Sequence, residues 1–283
     1  MSRFTRSQIE EIYRTHPQRG EAILRRIQTR RGSTASVTVL DLAEDDDSGI
    51  TDQNHMGGLA FTRQLAQRAG ISQSTRVLDL GCGLGGSARA LAWWYGCHVH
   101  GVDLSPDRIT DARHLTELVG LTRLATFECA DIMTAAVPEG RFDVLWGQAA
   151  WSHLPDKAAL LRKWTTVLNP GGRVALEDVC LLRETASDRE QRLLTGLEDH
   201  WTSYLIPLDG PGGWQNVILQ SGLATQSVDD CSEGLLAHFL ELRAGAEWQG
   251  EPVSAFERHA WDLAIDAINA SLVGYFRLVA RQS

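Results

Sequence analysis

The chain has 283 residues and a formal net charge of −9, with 43% of its residues apolar and 22% charged. That length suits one large domain or a domain with a cap, and the apolar fraction supports a sizeable core. The negative balance opposes a nucleic acid as the main partner, because a phosphate backbone demands a basic surface. The cysteines at 82, 97, 129, 180 and 231 are odd in number and have no Cys-x-x-Cys spacing, which opposes a zinc site or a disulfide framework. A reduced, cytoplasmic setting is the corresponding expectation. No apolar run has the length of a membrane span, and Met1-Ser2-Arg3-Phe4 does not begin as a secretory leader does.

Ser7 and Glu10 have capping-box spacing and predict a helix that starts near Ser7 and stops at His16-Pro17. Gly20 to Arg30 offers a second helix with Ile23, Leu24 and Ile27 on one face. Val37 to Leu42 is apolar. Glu44-Asp45-Asp46-Asp47-Ser48-Gly49 follows as an acidic loop, read as solvated rather than as a hard-cation site. Gly57-Gly58 then gives a tight turn into a helix from Leu59 to Ala69.

Val77 to Leu80 is a short apolar run with the character of a buried parallel strand. Gly81-Cys82-Gly83-Leu84-Gly85-Gly86 follows at once, and Ser87 to Ala92 is helical in character. A strand, a glycine turn and a helix start make a nucleotide site, since backbone N–H groups can approach the ligand. Gly81-x-Gly83-x-x-Gly86 also satisfies the dinucleotide fingerprint. Asp79 discriminates between the two ligands. A carboxylate two residues before the first glycine repels a pyrophosphate and suits a nucleoside ligand that carries an ammonium group.

Here the chain resembles the class I S-adenosylmethionine-dependent methyltransferases, whose first motif is an acidic residue followed by Gly-x-Gly. The resemblance implies an α/β fold: a Rossmann-like, doubly wound, mostly parallel seven-stranded sheet with its last strand antiparallel. It implies S-adenosylmethionine as cofactor, with Asp79, Gly81, Gly83 and Gly86 in its site. It also implies that Gln53 and His55, in the polar segment before the Leu59 helix, line the site; an exposed polar turn is the alternative reading.

His98 to Asp103 is the second strand, after a helix that Gly96 terminates. Asp103 lies 22 positions beyond Gly81, the spacing at which an acidic side chain reaches a ribose diol, and Leu104 follows it into the cofactor site. Ser105-Pro106-Asp107 starts a helix that runs to Val119. Leu124 to Cys129 is the third strand. By the resemblance, Asp131 bonds the adenine amino group and Ile132 packs on the ring. Phe142 to Trp146 is the fourth strand, and the segment from Gly147 to Lys157 sits at its carboxyl edge, where doubly wound sheets bind ligands. That segment resembles the one in sarcosine and dimethylglycine methyltransferases and in tocopherol and other natural-product methyltransferases, whose Gln and His fall at Gln148 and His153. Asp156 caps a helix to Leu168, and Asn169-Pro170-Gly171-Gly172 turns into the fifth strand, Arg173 to Glu177.

Alternating strands and helices demand a parallel sheet. The alternation breaks at Ser187-Asp188-Arg189-Glu190, a second capping box that opens a helix to about Leu205, read as a lid over the acceptor pocket. Helices from Trp214 to Ser221, Leu235 to Leu242 and Val253 to Leu272 follow, with strands from Leu223 to Val228 and Tyr275 to Ala280. The expected organisation is a helical cap over 1–70, a cofactor-binding core over 71–180, a lid over 181–222 and completion of the sheet over 223–283.

Methyl transfer from a sulfonium is an in-line displacement, so the protein positions the nucleophile, excludes water and removes a proton where one must leave. A neutral amine attacks directly, whereas a phenol or carbon acid needs a base. His153 is the base candidate, with loop orientation as the alternative role. Glu177 is the second catalytic candidate, and Asp178 beside it is a candidate grip on the acceptor. Trp151, Trp201 and Tyr204 offer an aromatic wall for a methylated ammonium, with core packing as the alternative, and His200 lies on the same lid helix. The expected function is S-adenosylmethionine-dependent methylation of a small molecule, N-methylation of an amine or amino acid being favoured over O- or C-methylation of a natural product. No metal, nucleic acid or membrane is expected to take part, and a homodimer is allowed. Two other classes remain open: an NAD-dependent oxidoreductase, which Asp79 opposes, and a non-catalytic S-adenosylmethionine sensor.

Overall fold

The computed structural model describes residues 3–16, 18–44, 50–138, 141–244, 247–248, 251–252 and 254–282. The acidic-loop expectation at 45–49 lies outside them. The main sheet has seven strands: β1 Arg76–Leu80, β2 His98–Asp103, β3 Ala125–Cys129, β4 Phe142–Gln148, β5 Leu168–Leu181, β6 Leu223–Asp230 and β7 Val273–Gln282. Their order is β3-β2-β1-β4-β5-β7-β6. The first five strands run parallel, and β7 is antiparallel to both β5 and β6. The order reverses between β1 and β4, so the loops leaving those strands diverge and open a crevice at their carboxyl ends.

Alternation along each strand divides the core into two layers. Leu78, Leu80, Leu145, Val174 and Leu176 point to one face, under Trp151, Trp164 and Trp214. Val77, Val99, Val144, Trp146 and Ala175 point to the other. The second face carries α4 (Gly58–Ala69), α5 (Gly86–Tyr95) and α6 (Pro106–Leu118). The first carries α7 (Lys157–Trp164) and α9 (Trp214–Gln220). Covering both faces lets β1 read as a continuous apolar run interrupted only by Asp79.

Several element ends differ from expectation, each for a local reason. The first helix, α1 (Arg6–Thr15), is capped by Thr5 with Gln8 closing the box, and Glu10 pairs with Arg6 at 2.8 Å. α7 stops at Trp164, and a 3₁₀ turn over Thr165–Val167 leads straight into β5. The Asn169-Pro170-Gly171-Gly172 segment therefore lies within β5, where the register against β4 shifts between Phe142 and Val144. α8 (Asp188–Trp201) ends earlier than expected because Thr202 takes a left-handed conformation at φ 48°. Its apolar residues Leu193, Leu194, Leu197 and Trp201 pack with Leu263, Ala264 and Ala267 of α11 (Ala255–Asn269). Among the described residues, no helix is long and apolar enough to cross a membrane.

The N-terminal segment includes α2 (Gly20–Arg31) and α3 (Val39–Ala43) and packs through Ile23, Ile27, Leu42 and Ile50 against Leu84 and Leu115. One buried ion pair fixes it in place. Arg89 of α5 and Asp52 are both fully buried, with Nη2 and Oδ2 2.8 Å apart. The guanidinium also donates to the carbonyls of Leu84 and Ala112 and to the Thr116 hydroxyl at 2.6, 3.1 and 3.0 Å. The Asp52 backbone crosses the start of α5 so closely that a Cβ on Gly86 would sit 2.2 Å from the Asp52 carbonyl oxygen. Asp52→Ala leaves the Arg89 cation buried without its counter-ion, a change that costs roughly 3–5 kcal/mol. Urea unfolding should show that loss, and the double replacement Asp52→Leu with Arg89→Met should lose less than Asp52→Ala alone.

Candidate active site

A cavity of about 290 Å³ lies at the carboxyl ends of β1, β2 and β4. The glycine turn after β1 forms its floor. Asp103, Leu104, Asp131 and Ile132 form one wall, and the segment from Gln148 to Pro155 forms the other. Residues of α1 and the strap from Asp52 to His55 close it from above. Gly81 has φ +82°, and a Cβ there would meet the Ala150 side chain at 2.3 Å, so this turn tolerates only glycine.

Asp79, Asp103 and Asp131 line the cavity with different partners. Asp79 is 2% exposed and its Oδ2 has no partner among the described residues. Burial, with the Asp103 charge adding to it, raises the Asp79 carboxyl to about 8. Asp103 is anchored by backbone: Oδ2 accepts from Gly83 N at 2.8 Å and Oδ1 from Ser105 N at 2.9 Å. Each oxygen keeps a further lone pair for a ligand hydroxyl. Asp131 accepts from Met133 N at 2.9 Å and stands beside Ile132.

A buried polar network backs this site. Gln148 Oε1 accepts from Ser87 Oγ at 2.7 Å and Trp146 Nε1 at 3.1 Å, while its Nε2 donates to Glu177 at 2.7 Å. Glu177 in turn pairs with Arg277. His55 lines the cavity with its Nε2 3.1 Å from Thr62 Oγ1 and 3.3 Å from Ser87 Oγ, and burial lowers its imidazole to about 4. Gln53 is buried behind the strap, donating to Asp52 at 2.7 Å, and does not reach the cavity.

Several expected acceptor residues are elsewhere. Glu177 is fully buried between Gln148 and Arg277 and is not among the cavity-lining residues; burial raises its carboxyl to about 7. Asp178, on the opposite face, accepts from Ser152 N at 2.8 Å, which ties the loop after β4 to β5. Trp151 packs against Trp214, with ring centroids 6.4 Å apart, and Trp201 stacks on Phe239 at 5.9 Å. His200 stacks on Phe256 at 3.7 Å. Tyr204 accepts from Phe4 N at 2.8 Å. Among the described residues α8 contributes nothing to the cavity wall; the covering helix is α1.

His153 does line the cavity. Its Nδ1 lies 3.3 Å from the Thr202 carbonyl and 3.4 Å from the Thr202 hydroxyl; the carbonyl can only accept, which favours the tautomer with hydrogen on Nδ1. Nε2 is then an acceptor, and the Tyr13 hydroxyl donates to it at 2.7 Å. Burial lowers the imidazole to about 4 and raises the Tyr13 phenol to about 12. Both are therefore neutral near pH 7. Sequence analysis misses Tyr13, Asn54, Ser87 and Arg108, which also line the cavity. For Tyr13 a signal exists: Ile9 and Tyr13, four residues apart, share a helix face. For Arg108 no local signal separates it from a surface arginine. The arrangement can enclose a cationic nucleoside ligand at one end and accept a proton at the other.

Residues 77–172 match the family described as Methyltransferase domain. Phosphoethanolamine N-methyltransferase 1 of Arabidopsis thaliana is 37% identical over 131 residues, covering 46% of this chain and 26% of that protein. Glycine/sarcosine/dimethylglycine N-methyltransferase of Actinopolyspora halophila is 31% identical over 177 residues, covering 62% of this chain and 30% of that protein. The chain thus spans about a quarter to a third of the length of these curated relatives. Geranyl diphosphate C-methyltransferase from Streptomyces coelicolor A3(2) has the same fold, with a TM-score of 0.70 over 100% of both chains at 13% identity. Strand order, glycine turn and matched segment agree: residues 77–172 are similar to the methyltransferase domain, on the Rossmann-like fold that the solved structures share.

Proposed function

We propose that this chain binds S-adenosylmethionine and directs its methyl group onto a small-molecule acceptor. The observation that carries this reading is the unpartnered Asp79 carboxyl, buried in the cavity where only a cation restores its charge. The other lining groups fit the remainder of such a ligand. Asp103 accepts from the ribose hydroxyls, Asp131 accepts from the adenine amino group, and Leu104 and Ile132 cover the ring. The glycine turn admits the amino-acid portion, and His55 bounds the site. When bound, the sulfonium supplies an electrophilic methyl carbon and a neutral thioether leaving group.

At the acceptor end, this chain's residues exclude water and manage one proton. The Tyr13 hydroxyl takes the acceptor's proton as it passes its own to His153 Nε2, the nitrogen to which it is bonded. An amine arriving neutral needs only the cover and the alignment, which is the N-methylation reading. The fixed Nε2 lone pair favours the second reading, O- or C-methylation of a natural product, because such an acceptor must give up a proton. Residues 71–180 act as the cofactor unit and α1 as its cover, in a cytoplasmic setting and without a nucleic acid partner.

Calorimetric titration separates the main classes: S-adenosylmethionine should bind at micromolar concentration and NAD should not. Asp103→Ala should weaken S-adenosylmethionine roughly 10- to 100-fold, the loss of hydrogen bonds to a charged group, with an unchanged circular dichroism spectrum. Unaltered affinity removes the ribose assignment.

Asp79 also gives binding a pH signature. Its raised carboxyl favours the fold at low pH, and that contribution fades as pH rises from the ordinary carboxylate range through about 8. Near neutral pH the free protein holds this proton, and a cation on Asp79 expels it. Calorimetry in buffers of different ionisation enthalpy should report release of close to one proton below about pH 8, vanishing at higher pH and absent in Asp79→Asn. For His153→Ala, turnover should fall roughly 100- to 10,000-fold while the dissociation constant of the cofactor changes little. An equal loss in both quantities makes His153 a structural residue.

A further inference from the structure

Two cavity-lining side chains have a buried atom without a partner among the described residues: Asp79, at Oδ2, and Arg108, at Nε. Asp79 belongs to the cofactor reading above. Arg108 has no part in it, yet it joins three separate segments at the cavity. It sits in the first turn of α6 and is 4% exposed. Its guanidinium carbon lies 4.3 Å from the centroid of the Tyr13 ring on α1. With the Asn54 amide turned to satisfy both its neighbours, Asn54 donates to Gln18 Oε1 at 2.6 Å and accepts from both terminal nitrogens of Arg108 at 3.1 and 3.2 Å. A Cβ on Gly83 would stand 3.2 Å from Arg108 Nη1, so the guanidinium also lies against the glycine turn.

We infer that Arg108 couples cofactor binding to closure of α1: its Nε–H donates to an oxygen of the bound cofactor while its guanidinium face holds the Tyr13 ring over the cavity. This rests on the cofactor reading proposed above. A guanidinium can do both, because its donors lie in the plane and its face is free to stack on an aromatic ring. A buried N–H without an acceptor is unfavourable, and a ligand oxygen removes that penalty. The two contacts reinforce one another. A ligand fixes the plane on which Tyr13 rests, and Tyr13 excludes the water that would otherwise weaken the ligand's hydrogen bond. Since the Tyr13 hydroxyl is the partner of His153 Nε2, Arg108 acts on the acceptor end as a positioning residue.

The test is a double-mutant cycle on the full chain with S-adenosylhomocysteine as the calorimetric probe, so no acceptor is needed. Arg108→Gln should weaken binding roughly 30-fold and Tyr13→Leu roughly 10-fold. The double variant should lose roughly 30-fold, well short of the ~300-fold that independent effects would give. Tyr13→Phe keeps the ring and should stay within about 3-fold of the parent. Arg108→Lys, which keeps the charge without the planar fork, should bind as weakly as Arg108→Gln and guards against a folding defect. Hydrogen exchange supplies the structural readout: S-adenosylhomocysteine should protect α1 amides in the parent and leave them unprotected in Arg108→Gln. Additive losses, or equal protection of α1 in both proteins, overturn the coupling. Failure of the parent to bind S-adenosylhomocysteine is a different result, and it overturns the cofactor reading itself.

Discussion

The buried pair between Arg89 and Asp52 is the constraint on which the site depends. Two charges out of water are tolerable only when each is hydrogen-bonded, and Arg89 meets that condition with three further acceptors, one in the glycine turn before α5 and two in α6. The pair pins the strap from Asp52 to His55 across the start of α5. Gly86 permits the crossing because it has no side chain in the way. Once the strap is fixed, the glycine turn has a roof, and α1 has a surface on which to close.

Enclosure changes what the acidic residues are. An exposed Asp79 would be an ordinary surface carboxylate; under the strap it is a carboxyl that holds its proton to about 8. Asp103 differs in its partners: two backbone N–H groups donate to its oxygens. The same burial raises the carboxyl of Glu177. Gln148 and Arg277 surround it, and Gln148 is itself bonded to Ser87 and Trp146. A buried network of this kind, in which Glu177 accepts from both Gln148 and Arg277, forms a wall behind the cavity.

The cover comes from the opposite end of the chain to the one the break in strand–helix alternation suggests. α8 has a clear apolar face, but α11 occupies it. α1 lies over the crevice, joined to it by the Tyr13–His153 hydrogen bond and by the guanidinium of Arg108 beneath the Tyr13 ring. An apolar helix face shows that a helix is packed; it does not identify its partner.

By itself the sequence determined the sheet, the glycine turn and the three cavity carboxyl groups at Asp79, Asp103 and Asp131, because each follows from local order. A strand, a turn and a helix start are contiguous, and the acidic residue at a strand's end is carried to the same edge whatever surrounds it. His153 was legible for the same reason, lying just past β4. Tertiary structure alone decided the rest. Neither Glu177 nor Asp178 lines the cavity, because each is engaged by its own neighbours: Gln148 and Arg277 for one, the Ser152 amide for the other. Trp151, Trp201 and Tyr204 carry the chemistry of an aromatic wall, yet packing directed each to a different neighbour. Tyr13 meets His153 across 140 positions, and Arg108 meets Tyr13 across the same closed crevice. Such pairings have no period or spacing in the chain, because they arise only after separate elements have packed on a common core.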